Sequence, residues 1–105
     1  MPNASHVSNA FLTFAKEAPS YQEPWLAAVK GIGAASALND KTASLVYIGI
    51  LAAARLPSGL PFHVLEAKQH GATREEIISA VLSGLPAVGN TVIEALPIAL
   101  SAYDG

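Results

Sequence analysis

The stretch KTASLVYIGILAAAR, residues 41–55, is apolar on almost every side of the helix that it predicts. Alanine is abundant and β-branched residues are sparse along the chain, which favours helices. Asn39 or Asp40 can cap the start of this one. A helix that is apolar all round is normally buried. In a chain of 105 residues, it is buried best with help from a second subunit.

Two further helices are predicted on the N-terminal side of this stretch. The first covers about residues 8–17 and ends before Pro19, because a proline disfavours the helical conformation of the residue before it. Ser20 can cap the second helix, with Pro24 in its first turn. That helix carries Trp25 and runs as far as two closely spaced glycines.

A turn and a fourth helix are predicted directly after the stretch. Residues 56–59, LPSG, are typical of a turn. Ser58 can cap the helix that follows, with Pro61 still in the first turn, where its missing N–H costs nothing. The helix is expected to end at His70, with Gly71 in the position after the C-cap.

The clearest local signal lies at the start of a fifth helix. Thr73 and Glu76 have the spacing of a capping box, in which each side chain accepts a backbone N–H of the other residue. This helix is predicted to reach about Gly84, and a last one covers about residues 90–102. No alternating strand pattern is present. The sequence therefore predicts one all-α domain, residues 1–105, with five or six helices.

Composition limits the class of protein. Hydrophobic residues make up 51% of the chain and charged residues 13%, about half of the roughly 25% usual for a soluble domain. So little charge covers a small surface poorly, and we expect a homo-oligomer, from dimer to hexamer. A general nucleic-acid binder has a strongly basic surface, and the net charge of −2 does not predict one.

The apolar segments do not predict a membrane protein. Two apolar stretches without charge, residues 42–54 and 77–93, fall short of the roughly 20 apolar residues that a spanning helix needs. The N-terminus, MPNASHVSNAF, has no basic segment followed by an apolar one, so it does not resemble a signal peptide. We expect the cytoplasm, with neither a membrane nor a nucleic acid as partner.

The order of these signals resembles the carboxymuconolactone decarboxylase and AhpD-like alkylhydroperoxidase superfamily. The matching segments are KTASLV at 41–46, Arg55 to His63-Val64, GATREEI at 71–77, Gly89-Asn90 and Glu94-Ala95-Leu96. The resemblance covers nearly the whole chain. It implies an all-helical AhpD-like bundle that assembles as dimers, trimers or hexamers, in agreement with the composition.

The chain departs from this superfamily at its redox centre. AhpD-like members carry a Cys-x-x-Cys-x-x-x-His motif and a glutamate upstream of it. In this chain Leu56 and Gly59 occupy the two cysteine positions, Ser44 occupies the glutamate position, and only His63 is retained. A thiol peroxidase needs one thiolate to attack the peroxide and a second thiol to resolve the product. Because the chain has no cysteine, that activity is excluded.

The decarboxylase branch of the superfamily needs no cysteine, and two residues are candidates for such chemistry. His63 can carry a proton near neutral pH, and Arg55 can hold a carboxylate. Each also has a structural interpretation. His63 can be a core histidine that is hydrogen-bonded to the hydroxyl of Ser44 or Tyr47. Arg55 can be a cation that complements the dipole at the end of a helix.

Other constellations are incomplete. His63, Glu66 and His70 share one side of a helix, but no second pair of ligands accompanies them, so we expect no metal. Ser58 with His63 lacks the elbow motif of serine hydrolases. Residues 31–36, GIGAAS, lack the third glycine of a dinucleotide fingerprint, and no cofactor is predicted. Trp25 and Phe62 are expected in the core or in the wall of a pocket.

Two functions follow from these residues. The first is a thiol-free member of the superfamily that binds a small apolar or acidic molecule near His63, as a binding protein or a vestigial scaffold. The alternative is a cofactor-independent decarboxylase or lyase that acts on a small acid of the aromatic-catabolism type. In that case His63 is the acid/base and Arg55 the anion clamp.

Overall fold

Helices joined by short connections make up the protein, and residues 6–105, which a computed structural model describes, contain no strand. The α-helices are α1 (Asn9–Glu17), α2 (Pro19–Ala35), α3 (Asp40–Ala53), α4 (Leu60–Gln69), α5 (Arg74–Leu82), α6 (Leu85–Val88) and α7 (Leu96–Asp104). Pro57–Gly59 and Gly89–Ala95 form 3-10 turns. The predicted all-α class is confirmed, since α6 is a single turn and the other six helices match the expected number.

Three predicted helix boundaries are confirmed by the backbone around them. Asn39 Oδ1 accepts the N–H of Thr42 at 2.8 Å. Thr73 Oγ1 accepts the N–H of Glu76 at 3.1 Å, and Glu76 Oε1 accepts the N–H of Thr73 at 2.9 Å. Gly71 follows α4 with a φ of 92°, the left-handed conformation in which many helices end.

The predicted start of α2 is wrong. The helix begins at Pro19, its N-cap is Ala18, and no side chain caps it. Proline suits the first helical position because its fixed φ is already helical and its missing N–H is not needed there. Ser20 therefore lies inside the helix, and Pro24 lies beyond the first turn.

Ser58 does not cap α4, contrary to the prediction. It lies inside the 3-10 turn Pro57–Gly59, and α4 has no side-chain cap. Pro61 in the first turn of α4 removes one of the N–H groups that a cap would satisfy. The turn itself, where the sequence predicts one, is confirmed.

The predicted last helix, residues 90–102, is divided in two. Gly89–Ala95 is a 3-10 turn, and the α-helix begins at Leu96. Pro97 has no N–H to donate to the carbonyl of Ile93, so a regular α-helix does not continue through this point. Gly89 has a φ of 72°, and this left-handed backbone ends α6 before the 3-10 turn begins.

The core lies between α3, α4, α5, the second 3-10 turn and α7. Helix α3 packs against α4 and α5, and α4 packs against α7. The largest fully buried side chains are Ile48, Leu60, Ile77, Val64, Val81 and Val92. Helix α3 is buried on one side only, because Ile50 is 58% exposed. The expectation that this helix is buried all round is therefore wrong within a single chain.

The molecule is compact and globular, with a radius of gyration of 13.9 Å, against about 13 Å expected for 100 residues. Among residues 6–105, the run of helical segments Arg74–Asp104 is long and apolar enough to cross a membrane by length and composition, and an 18-residue window of it has a mean hydropathy of 1.4. This is weak evidence for a membrane span, because the core helices of globular proteins meet the same criteria. The same stretch supplies Ile77, Val81 and Val92 to the core.

Candidate functional site

A cleft of about 870 Å³ lies between α2 on one side and α3 with α4 on the other. The wall from α2 contains Trp25, Val29 and Ile32, and the wall from α3 contains Val46 and Ile50. All five side chains are about half exposed or more in the single chain. Small-molecule sites are concave and mostly apolar, with a few polar groups placed among apolar ones. The cleft fits this description on its apolar side.

The carboxylates and imidazoles of the cleft lie on α3 and α4 or directly after α4. They are Asp40, His63, Glu66 and His70, and hydroxyl groups line the cleft at Ser8, Ser36, Ser44, Tyr47 and Ser58. His70 Nδ1 is 4.0 Å from Asp40 Oδ2, and His63 Nδ1 is 3.5 Å from Glu66 Oε1. Each histidine thus faces one carboxylate. The cleft combines two walls of apolar side chains with two histidine–carboxylate pairs.

The imidazole of His63 is held by stacking rather than by a hydroxyl. Its ring lies 4.2 Å from the ring of Tyr47, with an angle of 25° between the planes. Nδ1 is buried and makes no hydrogen bond among the described residues, so the predicted bond to Ser44 or Tyr47 is absent at this nitrogen. The approach of Glu66 at 3.5 Å is an ion-pair distance.

The charge of Glu66 is favoured by this neighbourhood. Its polar contact with the His63 side chain lowers the pKa of the Glu66 carboxyl, and this outweighs the effect of partial burial, which acts in the opposite direction. The positive potential of His63 and then of His70 contributes in the same sense. Glu66 is therefore a carboxylate at neutral pH and an acceptor for a proton on His63.

The positions of the superfamily's redox residues are only partly brought together. Ser44 and Gly59 line the same cleft as His63. A Cβ at Gly59 would lie 3.9 Å from His63 Cδ2, so a side chain at this cysteine position would begin beside the retained histidine. Leu56 is exposed and does not line the cleft in the described structure.

Arg55 lies apart from His63. It is not among the described residues that line the cleft, and its guanidinium donates to Thr91 Oγ1 at 2.9 Å. Its backbone has a φ of 60°, which directs the chain into the turn between α3 and α4. A site that combines His63 as proton carrier with Arg55 as anion clamp is not assembled in this arrangement.

No metal centre is present among residues 6–105, which hold no group of three or more His, Asp or Glu side chains placed to bind an ion. His63, Glu66 and His70 do lie in one cleft, but the first two face each other and the third faces Asp40.

Sequence reasoning missed the wall that α2 contributes. Trp25 lines the cleft and is not buried in the core. The sequence left both places open for it. The signal was present, since Trp25, Val29 and Ile32 follow helical spacing on a helix with only two charged residues. The pairing of His63 with Glu66 was also visible as a spacing of three on α4.

Comparison with protein families gives the class of the protein. A family model for the carboxymuconolactone decarboxylase family matches residues 19–101. The chain belongs to this family, as the resemblance of its segments implies. The match begins at α2 and reaches into α7, so it includes both walls of the cleft and all of the buried core except Ala102. Comparisons with curated proteins and with solved structures each find no significant match.

Proposed function

We propose that the chain is a thiol-free member of its family that binds a small apolar molecule in the cleft, with His63 as the polar contact. The observation that carries the proposal is the partly buried imidazole of His63, which lies between apolar walls, stacks on Tyr47 and directs its buried Nδ1 toward Glu66. Because Nδ1 faces Glu66, a ligand in the cleft meets the ring at its other nitrogen. A bound hydroxyl or carbonyl group beside that nitrogen makes a hydrogen bond in surroundings that are largely apolar.

The charges of the cleft favour a neutral ligand over an acidic one. Glu66 and Asp40 bring two carboxylates to it, and Arg55, the predicted clamp for an acid, is bound to Thr91 instead. An anion would meet two negative groups and no arginine. The ligand class is therefore an apolar molecule that carries a hydroxyl or carbonyl group, of the size of a one- or two-ring aromatic compound.

The test is a calorimetric titration with 1-naphthol, a neutral probe, and 1-naphthoate, its charged counterpart. We expect 1-naphthol to bind more tightly, and His63→Phe to weaken its binding about tenfold, the value of one hydrogen bond to a buried group. Phenylalanine keeps a ring against Tyr47, and the Glu66 carboxylate, which is 39% exposed, stays in contact with water when its histidine partner is lost. The free energy of unfolding is therefore expected to change by less than about 1 kcal/mol.

Arg55→Ala is the matched control, because this cation lies outside the cleft. It should leave both titrations unchanged. Equal binding of 1-naphthol to the wild-type chain and to His63→Phe would contradict the proposal, and so would the absence of any binding. Native mass spectrometry of the freshly purified protein beside His63→Ala tests the same site without a chosen probe, through an adduct that the variant lacks.

A second candidate function is favoured by the Glu66–His63 pair. A carboxylate beside one imidazole nitrogen orients the ring, as in acid–base catalysts. A cofactor-independent decarboxylase or lyase would use this pair to return a proton to the carbon that loses carbon dioxide. Release of carbon dioxide from carboxymuconolactone, lost in His63→Ala and kept in Arg55→Ala, would support it. No release by the wild-type chain would reject it for that substrate.

The proposal includes a working form of two to six copies in the cytoplasm, with the whole chain as one domain and neither a membrane nor a nucleic acid as partner. Its support is the low fraction of charged residues, 13%, together with the apolar side chains that α2 and α3 leave open. Such surfaces on a small chain mark sites of association. Sedimentation velocity over a range of concentrations gives the number of copies.

A further inference from the structure

The aromatic side chains of the chain are concentrated at the cleft. The chain contains three Phe, three Tyr and one Trp, and four of these side chains line the cleft, at Phe11, Trp25, Tyr47 and Phe62. Tyr47 stacks on His63, and the ring of Phe62 meets the same imidazole edge to face, with centroids 5.2 Å apart. The face of an aromatic ring carries a partial negative charge, so it attracts a cation and not an anion.

The charged groups of the cleft have the same preference. The described residues that line it include two carboxylates, Asp40 and Glu66, and no lysine or arginine. The other titratable groups in the lining are the imidazoles of His63 and His70 and the phenol of Tyr47. Contact with His63 lowers the pKa of the Glu66 carboxyl, which is therefore charged at neutral pH. A ligand with a positive charge is stabilised both by the aromatic rings and by the carboxylates.

The tautomer of His63 decides which kind of polar group fits beside it. Nδ1 lies 3.5 Å from Glu66 Oε1. A neutral imidazole has one N–H and one bare nitrogen, and a bare Nδ1 would direct its lone pair at a carboxylate. The proton therefore belongs on Nδ1, and Nε2 is left as an acceptor, since the partner of one ring nitrogen sets the state of the other. A ligand at Nε2 has to donate a hydrogen bond, which a carbonyl group cannot do.

We propose that the cleft is specific for an apolar ring system that carries a primary ammonium group. The ammonium group donates a hydrogen bond to His63 Nε2, and the rings lie against the aromatic side chains of the two walls. Glu66 acts through the imidazole. Its carboxylate fixes the tautomer, and its negative charge on the other side of the ring makes Nε2 a stronger acceptor for a charged donor. Glu66 is thus a positioning residue for this ligand, and His63 makes the contact.

This inference rests on the proposed binding of a small molecule beside His63, and it narrows the class of that molecule. The proposed function admits a hydroxyl or a carbonyl group. The tautomer of His63 keeps the hydroxyl group and removes the carbonyl group. The carboxylates of Asp40 and Glu66 then favour an ammonium group over the hydroxyl group, because only the ammonium group has a charge opposite to theirs.

The test is a calorimetric titration with three ligands that share one ring system. 1-Naphthylmethylamine carries the ammonium group, 1-naphthylmethanol has a hydroxyl group in its place, and 1-acetylnaphthalene offers only an acceptor. At about pH 8 an aliphatic amine is still largely charged, whereas an ordinary imidazole is neutral. We expect the amine to bind about fivefold more tightly than the alcohol, the effect of one partly exposed charge pair. The ketone should bind about fivefold more weakly than the alcohol, because Nε2 then has no donor.

Glu66→Gln removes the charge and keeps an oxygen that can accept the N–H of Nδ1. It should weaken binding of the amine about fivefold and change binding of the alcohol less than about twofold. Damage to the cleft would weaken both ligands together, so the ratio of the two affinities reports on the charge. Glu75→Gln is the matched control, because Glu75 is exposed on α5 and is not among the described residues that line the cleft. It should leave both affinities unchanged.

The outcomes separate this inference from the proposal on which it rests. An amine that binds no more tightly than the alcohol overturns the preference for an ammonium group, and so does an amine affinity that Glu66→Gln leaves unchanged. A ketone that binds as tightly as the alcohol overturns the tautomer of His63. Binding of 1-naphthol by the wild-type chain and its weakening in His63→Phe are measured independently, so the proposed function can survive each of these results. If neither 1-naphthol nor any of the three ligands binds, both are wrong.

Discussion

At the scale of a residue, Arg55 shows how the backbone decides what a side chain can do. A φ of 60° places it in the left-handed region, which disfavours residues other than glycine. In this conformation its guanidinium reaches Thr91 across the end of α3. The sequence places Arg55 eight positions before His63 and suggests a shared site, but spacing along the chain does not give the direction of a side chain within a turn.

Two substitutions separate the backbone of Arg55 from its side chain. Arg55→Gly and Arg55→Ala both remove the hydrogen bond to Thr91, but only glycine adopts the left-handed conformation without strain. We expect the glycine variant to be more stable than the alanine variant by about 1 kcal/mol. Thermal unfolding of both variants under one condition measures this difference. Equal stabilities would show that residue 55 is not left-handed in solution.

At the scale of an element, the start of α5 joins two helices. Glu76 closes the capping box with Thr73, and its other oxygen lies 2.9 Å from Lys41 Nζ at the start of α3. The backbone N–H of Thr73, followed by Lys41, lowers the pKa of the Glu76 carboxyl. One side chain therefore caps α5 and ties it to α3.

This lowered pKa gives a dependence of stability on pH with a definite sign. The folded chain binds a proton at Glu76 less readily than the unfolded chain, so the carboxylate stabilises the fold at pH above its ordinary value of 4.5. The contribution disappears as the pH falls through the lower pKa of the folded state. Glu76→Gln keeps the capping box, because glutamine can replace glutamate there. It should reduce the loss of stability in acid.

Unfolding by urea at a series of pH values between neutral and acid measures this effect. Glu75→Gln is the control, because the capping box does not use Glu75. The prediction requires a flatter dependence on pH in Glu76→Gln than in Glu75→Gln. Parallel curves for the two variants would show that the contacts of Glu76 have no net effect on folding.

At the scale of the whole molecule, the chain has two unequal parts. The segment from the start of α3 to the end of α7 contains every buried apolar side chain of the described core. Helices α1 and α2 bury none. Local opening is easiest where few apolar contacts are buried. The hydrogen bonds of α2 are therefore expected to open more readily in the single chain than those of the core helices.

Hydrogen exchange tests this division. In dilute solution we expect the amides of α2 to exchange much faster than those of α3 and α5, which contain the buried Ile48 and Ile77. At high concentration the exchange of α2 should slow, while that of α3 and α5 stays the same. Mass spectrometry of peptides from each helix gives both rates. Equal protection of α2 and α3 in dilute solution would contradict the division.

The features that the sequence predicted are those set by neighbouring residues. The capping box of Thr73, the cap at Asn39 and the left-handed Gly71 each depend on three or four positions, and each is where it was expected. Some of its errors are also local, because the starts of α2, α4 and α7 depend on which position beside a proline begins the helix. The features of the site that it missed depend instead on distant parts of the chain. Helical spacing shows that Trp25 lies on an apolar face, but it does not show whether that face meets the core or a cleft. The stacking of Tyr47 on His63 is a second example, because it joins residues of two different helices and cannot be read from the spacing within either helix.

The late position of α7 affects the synthesis of the protein. Val92, Ala95, Ala99 and Ala102 all belong to the core, so α3 and α4 leave the ribosome before the residues that cover them. Until those residues emerge, the nascent chain exposes Ile48, Leu60 and Val64, and a partly covered core is prone to aggregate. The exposure lasts until residues 92–102 have left the ribosome, so a nascent chain that is stalled before this point is expected to aggregate more readily than the released chain.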